Sequence, residues 1–365
     1  MKILMLVNWK IEYTDQVPED KQPPDYFIKG KPYWFFRYFP NADDVNVDVV
    51  DIRSFPWLER FEKNKIRFYI WQTLKCLPRL RKYDMVVSHG MQSGIVLCLW
   101  RRLFGKGKYK HVVFDIGAFN SAKESGRSLK LMQFASKSLD GVIYHTEGQK
   151  SYYEKCHPWL LERSRYIPFG TDDEYFQETG IKTDQDNPYI LCVGYHKRDW
   201  DTLVTAYGSL RDHWREAGRK LPVLRMIGKQ MEIDATGVES IPAIPVRELI
   251  GQIQGALFCV LPLKSFNYSY GQMTLLQQMV LKKAVIAADV PSLQGYITDR
   301  ENALLYEPEN AGQLTALMRE LILSDKLREK LAANAQQAVR NKWNERVMAV
   351  QISDFLNEIE KEQEK

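Results

Sequence analysis

The sequence has few cysteines and no long apolar run. Five cysteines are scattered along 365 residues, and no two of them form a Cys-x-x-Cys pair. Such a set is typical of reduced thiols in a cytosolic protein and argues against a disulfide framework or a zinc site. No run approaches the roughly 18 to 20 apolar residues of a membrane-spanning helix. The apolar start MKILMLVNWK reaches a charge at Lys10 with no small-residue cleavage site after it, which favours a buried strand over a signal peptide.

Internal repeats and low-complexity segments are also lacking, and the composition is 45% hydrophobic and 27% charged. This composition is typical of a globular protein with enough apolar material for a core, and the length favours two domains. The basic residues form no recognised nucleic-acid-binding motif, and a net charge of +5 is modest for such a function.

Acidic residues are scarce in one part of the chain. Residues 51–150 hold 19 Lys and Arg against 8 Asp and Glu, a local charge of +11, so the rest of the chain is net −6. An unevenly charged solvated surface, an anionic membrane surface and an anionic substrate all fit this pattern. Within it, residues 61–83 mix aromatic and aliphatic residues with seven Lys and Arg. As a helix this stretch could lie on an anionic bilayer, or it could pack on the core with a solvated basic face.

Short runs rich in apolar and β-branched residues recur along the chain and predict buried parallel strands. They are residues 2–7, 45–52, 84–90, 111–117, 139–146 and 164–170 in the first part, then 189–194, 223–228, 256–263, 284–289 and 303–308. Most are separated by stretches that can form helices, such as 93–103 and 129–138. Residues 169–188 are polar, with little periodicity, and predict a linker. We therefore expect two doubly wound α/β domains that face each other across a cleft, with ligands at the carboxyl ends of the strands.

Two segments of the second half predict a phosphate site. A glycine, Gly271, stands before an apolar, helix-like run that begins near Thr274, and a helix N-terminus offers free N–H groups and a positive dipole end to anions. A plain loop closure explains that glycine equally. The run 189–194 ends at Gly194 and is followed by Lys197 and Arg198, whose charges can neutralise a diphosphate leaving group or simply be solvated.

Two polar residues end apolar strands in the first half. Asp115 ends VVFD and His89 lies in VVSHG. An ionisable group at the end of a buried strand is tolerated when it is functional or well paired, and a histidine there can also be a satisfied core residue. We regard both as candidates for sugar or acceptor contacts.

Several ordered segments of the chain resemble the retaining nucleotide-sugar glycosyltransferases of family 4, which have the GT-B architecture. The segments are YILCVGYHKRDWDTL, LRMIGK, SYGQMTLLQQMVLKKAVIAADVPSLQGYI and ENALLYEPEN, and upstream YDMVVSHGMQSGI and LDGVIYHTEGQKSYY. The resemblance covers most of residues 84–350 and is weak over 8–82. It implies an N-terminal acceptor-side Rossmann-like domain (1–170), a linker (171–188), a C-terminal nucleotide-sugar-binding domain (189–340) and a last helix (341–365) that returns to the N-terminal domain.

The resemblance also implies site residues and co-substrates. A UDP- or GDP-sugar would be bound without a metal or other cofactor by residues at the two strand ends: Gly194, Tyr195, Lys197, Arg198, Ser269, Gly271, Gln272, Met273, Thr274 and Gln277. Asp115, His89, Lys197 and Arg198 would take part in transfer, with retention of anomeric configuration. The acceptor would be a glycan or a lipid-linked molecule in polysaccharide or glycolipid synthesis, handled by a cytoplasmic enzyme that associates peripherally with the inner membrane face. No nucleic-acid partner is expected.

The sequence departs from the family pattern at two glutamates spaced eight positions apart. Ser269 and Gln277 occupy these positions. Gln277 can still hydrogen-bond a ribose, but a neutral amide binds more weakly than a carboxylate. Tyr195 stands where an arginine is common, and Asn8-Trp9 replaces a Gly-Gly loop. Two alternatives follow: a non-catalytic GT-B homologue that binds a nucleotide or a partner protein, and a nucleotide-sugar epimerase.

Overall fold

The computed structural model describes residues 1–117, 119, 124–194, 196–216, 218, 221–228, 235–266 and 268–361. The chain divides into two compact units. The first unit contains Met1–Pro168, Asn267–Ser269 and Glu345–Lys365, and the second contains Phe169–Phe266 and Tyr270–Asn344. The segment interpreted as a linker is counted with the second unit, where Phe176 is buried in the core.

The first unit is an α/β layer structure. Its strands are β1 (Lys2–Leu6), β2 (Glu12–Thr14), β3 (Tyr26–Ile28), β4 (Asn46–Val50), β5 (Met85–His89), β6 (Lys110–Asp115), β7 (Gly141–Tyr144) and β8 (Ser164–Tyr166). Its helices are α1 (Pro56–Phe61), α2 (Ile70–Cys76), α3 (Met91–Phe104), α4 (Arg127–Ser136) and α5 (Gln149–Cys156).

The second unit repeats this architecture. Its strands are β9 (Tyr189–Val193), β10 (Val223–Gly228), β11 (Val238–Pro242), β12 (Phe258–Leu261), β13 (Val285–Ala288) and β14 (Leu304–Tyr306). Its helices are α6 (Trp200–Glu216), α7 (Val246–Gly255), α8 (Gln272–Val280), α9 (Ala311–Leu323) and α10 (Asp325–Lys342). The last helix, α11 (Glu345–Lys361), belongs to the first unit.

Each unit contains a parallel six-stranded sheet. The first sheet has the order β4-β1-β5-β6-β7-β8 and the second β11-β10-β9-β12-β13-β14. In the first sheet the chain moves from β1 to β4 on one side and then to β5 on the other. In the second it moves from β9 to β10 and later to β12. Each sheet therefore has a topological switch point, β1/β5 and β9/β12, where α/β sheets bind ligands.

The eleven strands predicted from apolar runs are all present, and the α/β class is confirmed. The strands at the middle of each sheet are buried on both faces, as in Val86 and Ile286, because helices cover parallel sheets on both sides. The edge strands β4 and β8 are partly exposed. The pattern missed β2, β3 and β11. β2 and β11 carry polar residues such as Glu12 and Glu239 and have no buried position, so they form no apolar run. β3 is apolar, but its three residues are too short a run to predict a strand.

The basic stretch 61–83 is not one helix. A π-helical turn (Glu62–Ile66) follows α1, Arg67 adopts a left-handed conformation with φ 61°, and α2 and a 3₁₀ turn follow. Gln72, Cys76 and Leu80 are buried, so the inner side of the stretch packs on the core, as one of the two interpretations expected. Across the described parts of the chain, no helix is both long and apolar enough to cross a membrane.

Helix α11 is held in the first unit by a buried carboxylate. Glu345 accepts a hydrogen bond from Trp34 Nε1 (2.7 Å) and pairs with Arg37 (3.3 Å). Further along the helix, Ile359 lies where a Cβ on Gly141 would be, at 2.4 Å from its Cδ1. The first sheet therefore requires a residue without a side chain at position 141 for this helix to approach.

We predict that Glu345→Ala lowers the free energy of unfolding by about 2–4 kcal/mol, because it leaves the buried indole N–H of Trp34 without its acceptor. The matched control on the same helix is Glu358→Ala, whose carboxylate pairs with Arg165 at the surface and should cost at most about 1 kcal/mol. Urea denaturation of both variants measures the difference. Equal losses would show that Glu345 does not anchor α11.

A buried histidine predicts acid sensitivity. Burial lowers the pKa of His111 to about 3, and its Nε2 lies 2.9 Å from Ser88 Oγ. Because the folded pKa lies below the unfolded value of about 6.5, the stability that the neutral ring contributes is present above pH 6.5 and is lost as the pH falls toward 3.

Between pH 7 and pH 4.5 this loss should reach about 2–3 kcal/mol for His111. His111→Gln should make the unfolding free energy depend less steeply on pH in that window. The slope should fall by the amount that corresponds to about one proton taken up on unfolding, as measured by urea denaturation. The exposed residue His213 of α6 provides the control substitution, His213→Gln. A pH dependence that is the same for His111→Gln and the unmodified protein would contradict this assignment.

Candidate functional site

The carboxyl end of β9 turns sharply into a basic segment. Gly194 has φ 89° and Lys197 has φ 57°. An added Cβ on Gly228, at the end of neighbouring β10, would lie 2.9 Å from the carbonyl carbon of Gly194. The two strand ends therefore approach at backbone distance, which only glycine allows. Tyr195, also predicted to bind the donor, lies outside the described residues.

Arg198 connects this strand end to the start of α8. Its Nε donates to Val193 O (2.9 Å), and one terminal nitrogen donates to His196 O (3.1 Å) and to Tyr270 Oη (3.2 Å). The other terminal nitrogen donates to Thr274 Oγ1 (3.2 Å). The guanidinium is almost completely buried. These bonds fix a positive charge against the first turn of α8.

Helix α8 begins directly after a glycine. Gly271 is its N-cap residue, with φ 87°, and has no side chain of its own to cap the helix. The first turn contains no acidic residue, and a helix start leaves backbone N–H groups without intrahelical acceptors. A Cβ on Gly271 would lie 2.5 Å from Leu263 Cδ1, so both the backbone conformation and the space favour glycine. A helix start of this kind can bind an anion through its backbone N–H groups.

These two segments meet at the switch point of the second sheet. The basic segment follows β9 and the loop before α8 follows β12, the strand on the opposite side of the chain reversal. Arg198 also forms an isolated antiparallel bridge with Leu263. The structure therefore brings Gly194, Arg198, Gly271 and Thr274 into one region of the second unit.

The ammonium group of Lys197 lies 4.2 Å from the centre of the Phe266 ring, within cation–π distance. Unlike Arg198, Lys197 is exposed. Its flexible stem can move the charge, whereas the guanidinium is held by its hydrogen bonds.

The remaining donor-site candidates differ in environment. Gln272 is buried and donates to Ser292 O (2.6 Å), whereas Met273 is exposed. Gln277 is 8% exposed on α8. Ser269 lies two positions before Gly271 and is counted with the first unit.

In the first unit, His89 lies at the switch point between β1 and β5. Its ring is 4.7 Å from Trp9 and 5.6 Å from Trp34. Burial, and secondarily the charge of His145, lowers the pKa of His89 to about 3, so the imidazole is neutral at pH 7. Its Nδ1 has no hydrogen-bond partner among the residues that the structure describes.

Asp115 is fully enclosed at the end of β6. It accepts hydrogen bonds from Gly117 N (2.9 Å), Gln149 Nε2 (3.0 Å) and the hydroxyl of Tyr153. Burial raises the pKa of this carboxyl, and the hydrogen bonds oppose the rise. Both oxygens are therefore engaged in holding the turn after β6, which is a positioning role.

Sequence reasoning missed Tyr270 as a partner of Arg198, and Trp9 and Trp34 as the rings around His89. Tyr270 lies 72 positions from Arg198, and no local pattern links them. The signal for Trp9 was available, since it closely follows the first predicted strand, residues 2–7, and ligands were expected at the carboxyl ends of the strands.

A family model, glycosyl transferases group 1, matches residues 242–338. The match begins at the end of β11 and reaches into α10, so it contains Gly271, Thr274 and Gln277 but not the basic segment after β9. No curated protein matches the sequence significantly.

Solved structures with the same fold span nearly the whole chain. Sucrose-phosphate synthase from Thermosynechococcus elongatus has a TM-score of 0.71 at 15% identity, covering 98% of this chain and 99% of that one. HepE from Anabaena, in complex with UDP, has a TM-score of 0.64 at 12% identity, covering 98% and 100%. A UDP-forming α,α-trehalose-phosphate synthase from Burkholderia xenovorans, in complex with glucose-6-phosphate, has 0.64 at 11%, covering 98% and 99%.

At these identities the structural likeness establishes the fold, and the family match addresses the second unit. The two α/β units with six-stranded parallel sheets have the GT-B fold. Together with the glycosyl transferases group 1 segment, this fold supports a transferase of the glycosyltransferase class.

Proposed function

We propose that the protein is a retaining glycosyltransferase of family 4 that moves a sugar from a UDP- or GDP-sugar to a glycan or lipid-linked acceptor. One observation carries the proposal: Arg198 joins the end of β9 to the first turn of α8 at the switch point of the second sheet. Two of the similar structures hold, by their descriptions, UDP or a sugar phosphate.

The donor diphosphate is proposed to lie against the N-terminus of α8. Backbone N–H groups beside Gly271 and the hydroxyl of Thr274 can donate to phosphate oxygens, and the helix dipole favours the negative charge. Arg198 holds the Thr274 hydroxyl oxygen, because its N–H donates to Oγ1. The hydroxyl hydrogen is then free to point toward a phosphate oxygen, since a hydroxyl can accept and donate at once.

The chemistry at this site is charge stabilisation. Breaking the bond from the sugar to the diphosphate places negative charge on the leaving oxygen, which fixed cationic and dipolar groups stabilise without reorganising. Arg198 supplies a rigid charge, and Lys197 supplies a mobile one that can leave Phe266 for a phosphate. In a front-face reaction with retention, the departing diphosphate accepts the proton of the acceptor hydroxyl. The proposal requires no metal for these steps.

The first unit is proposed to contact the acceptor at its own switch point. A neutral imidazole at His89 can donate or accept a hydrogen bond with a sugar hydroxyl, and the rings of Trp9 and Trp34 offer apolar faces. Asp115 would act through the turn that it holds, because Gly117 N, Gln149 and Tyr153 already use its oxygens.

The replacement of the two family glutamates favours weak donor binding. Gln277 is proposed to bind the ribose through its amide, and Ser269 carries no charge toward the sugar. Nucleotide binding without turnover would favour the non-catalytic alternative. Turnover of the donor without an acceptor would favour an epimerase.

We place the acceptor at the anionic inner face of a membrane, with the protein as a cytoplasmic, peripherally attached enzyme. The excess of 19 cationic over 8 acidic residues in 51–150 supports this placement, because basic surfaces are attracted to anionic lipid headgroups.

We predict that Gly271→Asp abolishes binding of nucleoside diphosphates, because its carboxylate would face the phosphate oxygens. Gly271→Ala carries the same backbone strain and the same contact with Leu263 without the charge, and should lose much less affinity. Calorimetric titration of both variants with UDP and GDP separates charge from strain. Equal affinities in the Asp and Ala variants would contradict the phosphate assignment.

Gly180→Asp is the matched control for the added charge. Gly180 also has a positive φ, 81°, in the second unit, with open space around its Cα. Its substitution should leave nucleotide affinity unchanged.

Lys197→Ala should lower the rate at which the enzyme releases nucleoside diphosphate from the donor by about 10- to 100-fold. This corresponds to a transition state that is less stabilised by about 1.4–2.8 kcal/mol. The unfolding free energy should change by less than about 0.5 kcal/mol, because the side chain is exposed. Lys264→Ala, an exposed lysine on the adjacent strand end, is the control. A fall in activity that is matched by Lys264→Ala would remove Lys197 from the site.

A further inference from the structure

Helix α3 is apolar on two opposite faces near its C-terminus. Its inner face buries Ile95 and Cys98 in the core. Its outer face carries Trp100, Leu103 and Phe104, and the last two are each 69% exposed. Residues spaced by three and four positions share one face of a helix, so these three form a single outward stripe.

The neighbouring helix α4 also carries exposed apolar side chains. Leu131 and Phe134 are exposed three positions apart, and α4 packs beside α3. The Arg102 guanidinium lies 4.9 Å from the centre of the Phe134 ring and joins the two helices at the surface. The rings of Trp100 and Phe104 lie 4.2 Å apart. We call these five apolar side chains and the cations around them the α3–α4 face.

The segments of the sequence that form this face are rich in basic residues. Residues 85–114 and 125–139 include no Asp or Glu. They include eight cations: Arg101, Arg102, Lys106, Lys108, Lys110, Arg127, Lys130 and Lys137. Arg101 is buried and paired with Asp140, so its charge is not available at the surface. Lys106 also pairs with Asp140, at 3.3 Å. Most of the others are exposed, so α3, α4 and the segments that flank them carry a net positive charge.

We propose that the α3–α4 face binds the surface of an anionic lipid bilayer. Aromatic and aliphatic side chains would enter the boundary between headgroups and acyl chains, and the Lys and Arg stems would extend to the lipid phosphates. An exposed apolar cluster rimmed by cations is a mark of such a surface. This inference deepens the proposal of a membrane-borne acceptor by naming the face of the first unit that carries the contact, and it can be tested without catalysis.

Charge decides between a bilayer and a second copy of the chain. A two-fold symmetric interface would place the same patch opposite itself and bring the cations of both copies together, which costs free energy. An anionic bilayer reverses the sign of this interaction. The apolar side chains of the face, such as Leu103 and Leu131, offer no hydrogen bonds to nucleic-acid phosphates or base edges.

The test is co-sedimentation of the full-length protein with vesicles. One set is pure phosphatidylcholine, and in the other about one third of the lipid is phosphatidylglycerol. We expect at least about tenfold stronger partitioning onto the anionic vesicles in about 0.1 M salt, and most of that preference should be lost in about 1 M salt. Equal binding to both vesicle types, or no binding to the anionic set, would overturn the proposal.

Two variants locate the contact. Leu103→Ser with Phe104→Ser should lower partitioning onto anionic vesicles about tenfold or more, because it removes the exposed apolar side chains. Lys130→Glu should lower it about fivefold or more, because it reverses one charge. None of these three residues belongs to the proposed nucleotide site, so the affinities for UDP and GDP should not change. Partitioning that equals that of the unmodified protein in both variants would overturn the assignment of this face.

Matched controls exclude general effects of surface polarity and charge. Leu323→Ser removes an exposed leucine from α9, and Lys326→Glu reverses an exposed charge on α10. Trp57→Ser tests the exposed tryptophan of α1, the helix that leads into the basic stretch 61–83. All three should bind vesicles as the unmodified protein does. A larger loss with Trp57→Ser than with the α3 double variant would place the contact on α1, against the proposal. Sedimentation equilibrium that shows a dimer dissociated by the α3 double variant would identify a second copy as the occupant and would also overturn it.

Discussion

The candidate site depends on one buried guanidinium. Arg198 binds the last carbonyl of β9, the backbone of its own turn, the hydroxyl of Tyr270 and the hydroxyl of Thr274. It thereby links two strand ends that lie on opposite sides of a chain reversal. A charge buried in this way is tolerated because these acceptors surround it. The N-terminus of α8 is fixed at the same point through Thr274, so the proposed anion site would be preorganised before a ligand arrives.

Much of the fold could be predicted from the sequence because parallel strands that are buried on both faces must be almost wholly apolar. This constraint produced all eleven predicted strands. It could not produce β2 or β11, where polar residues such as Glu12 and Glu239 face solvent, or β3, whose three apolar residues are too short a run. The same limit explains the stretch 61–83, since periodicity alone does not reveal the left-handed residue Arg67 that ends its π-helical turn.

The candidate site was predictable where backbone chemistry determines the residue type. Gly194 and Gly271 both have positive φ. Each follows a strand that the apolar runs predict, residues 189–194 and 256–263. The partnership of Arg198 with Tyr270 was not predictable, because it joins distant positions through tertiary contacts. Asp115 was recognised as unusual in its burial, but only the structure shows that Tyr153, Gln149 and Gly117 occupy its oxygens. The α3–α4 face could not be predicted for a related reason. Helical periodicity shows that apolar residues share a face, but it does not show whether that face is buried or exposed.

The measurement that tests the central claim most directly is a calorimetric titration of the unmodified protein with uridine, UMP and UDP, and with guanosine, GMP and GDP, in metal-free buffer. If the diphosphate lies on the first turn of α8 beside Arg198, affinity must rise at each added phosphate for one of the two bases, and the base identifies the donor. The sugar conjugate of that nucleotide should then bind with comparable affinity. Equal affinity for nucleoside and nucleoside diphosphate, or binding to none of the six, would contradict a phosphate site at Gly271.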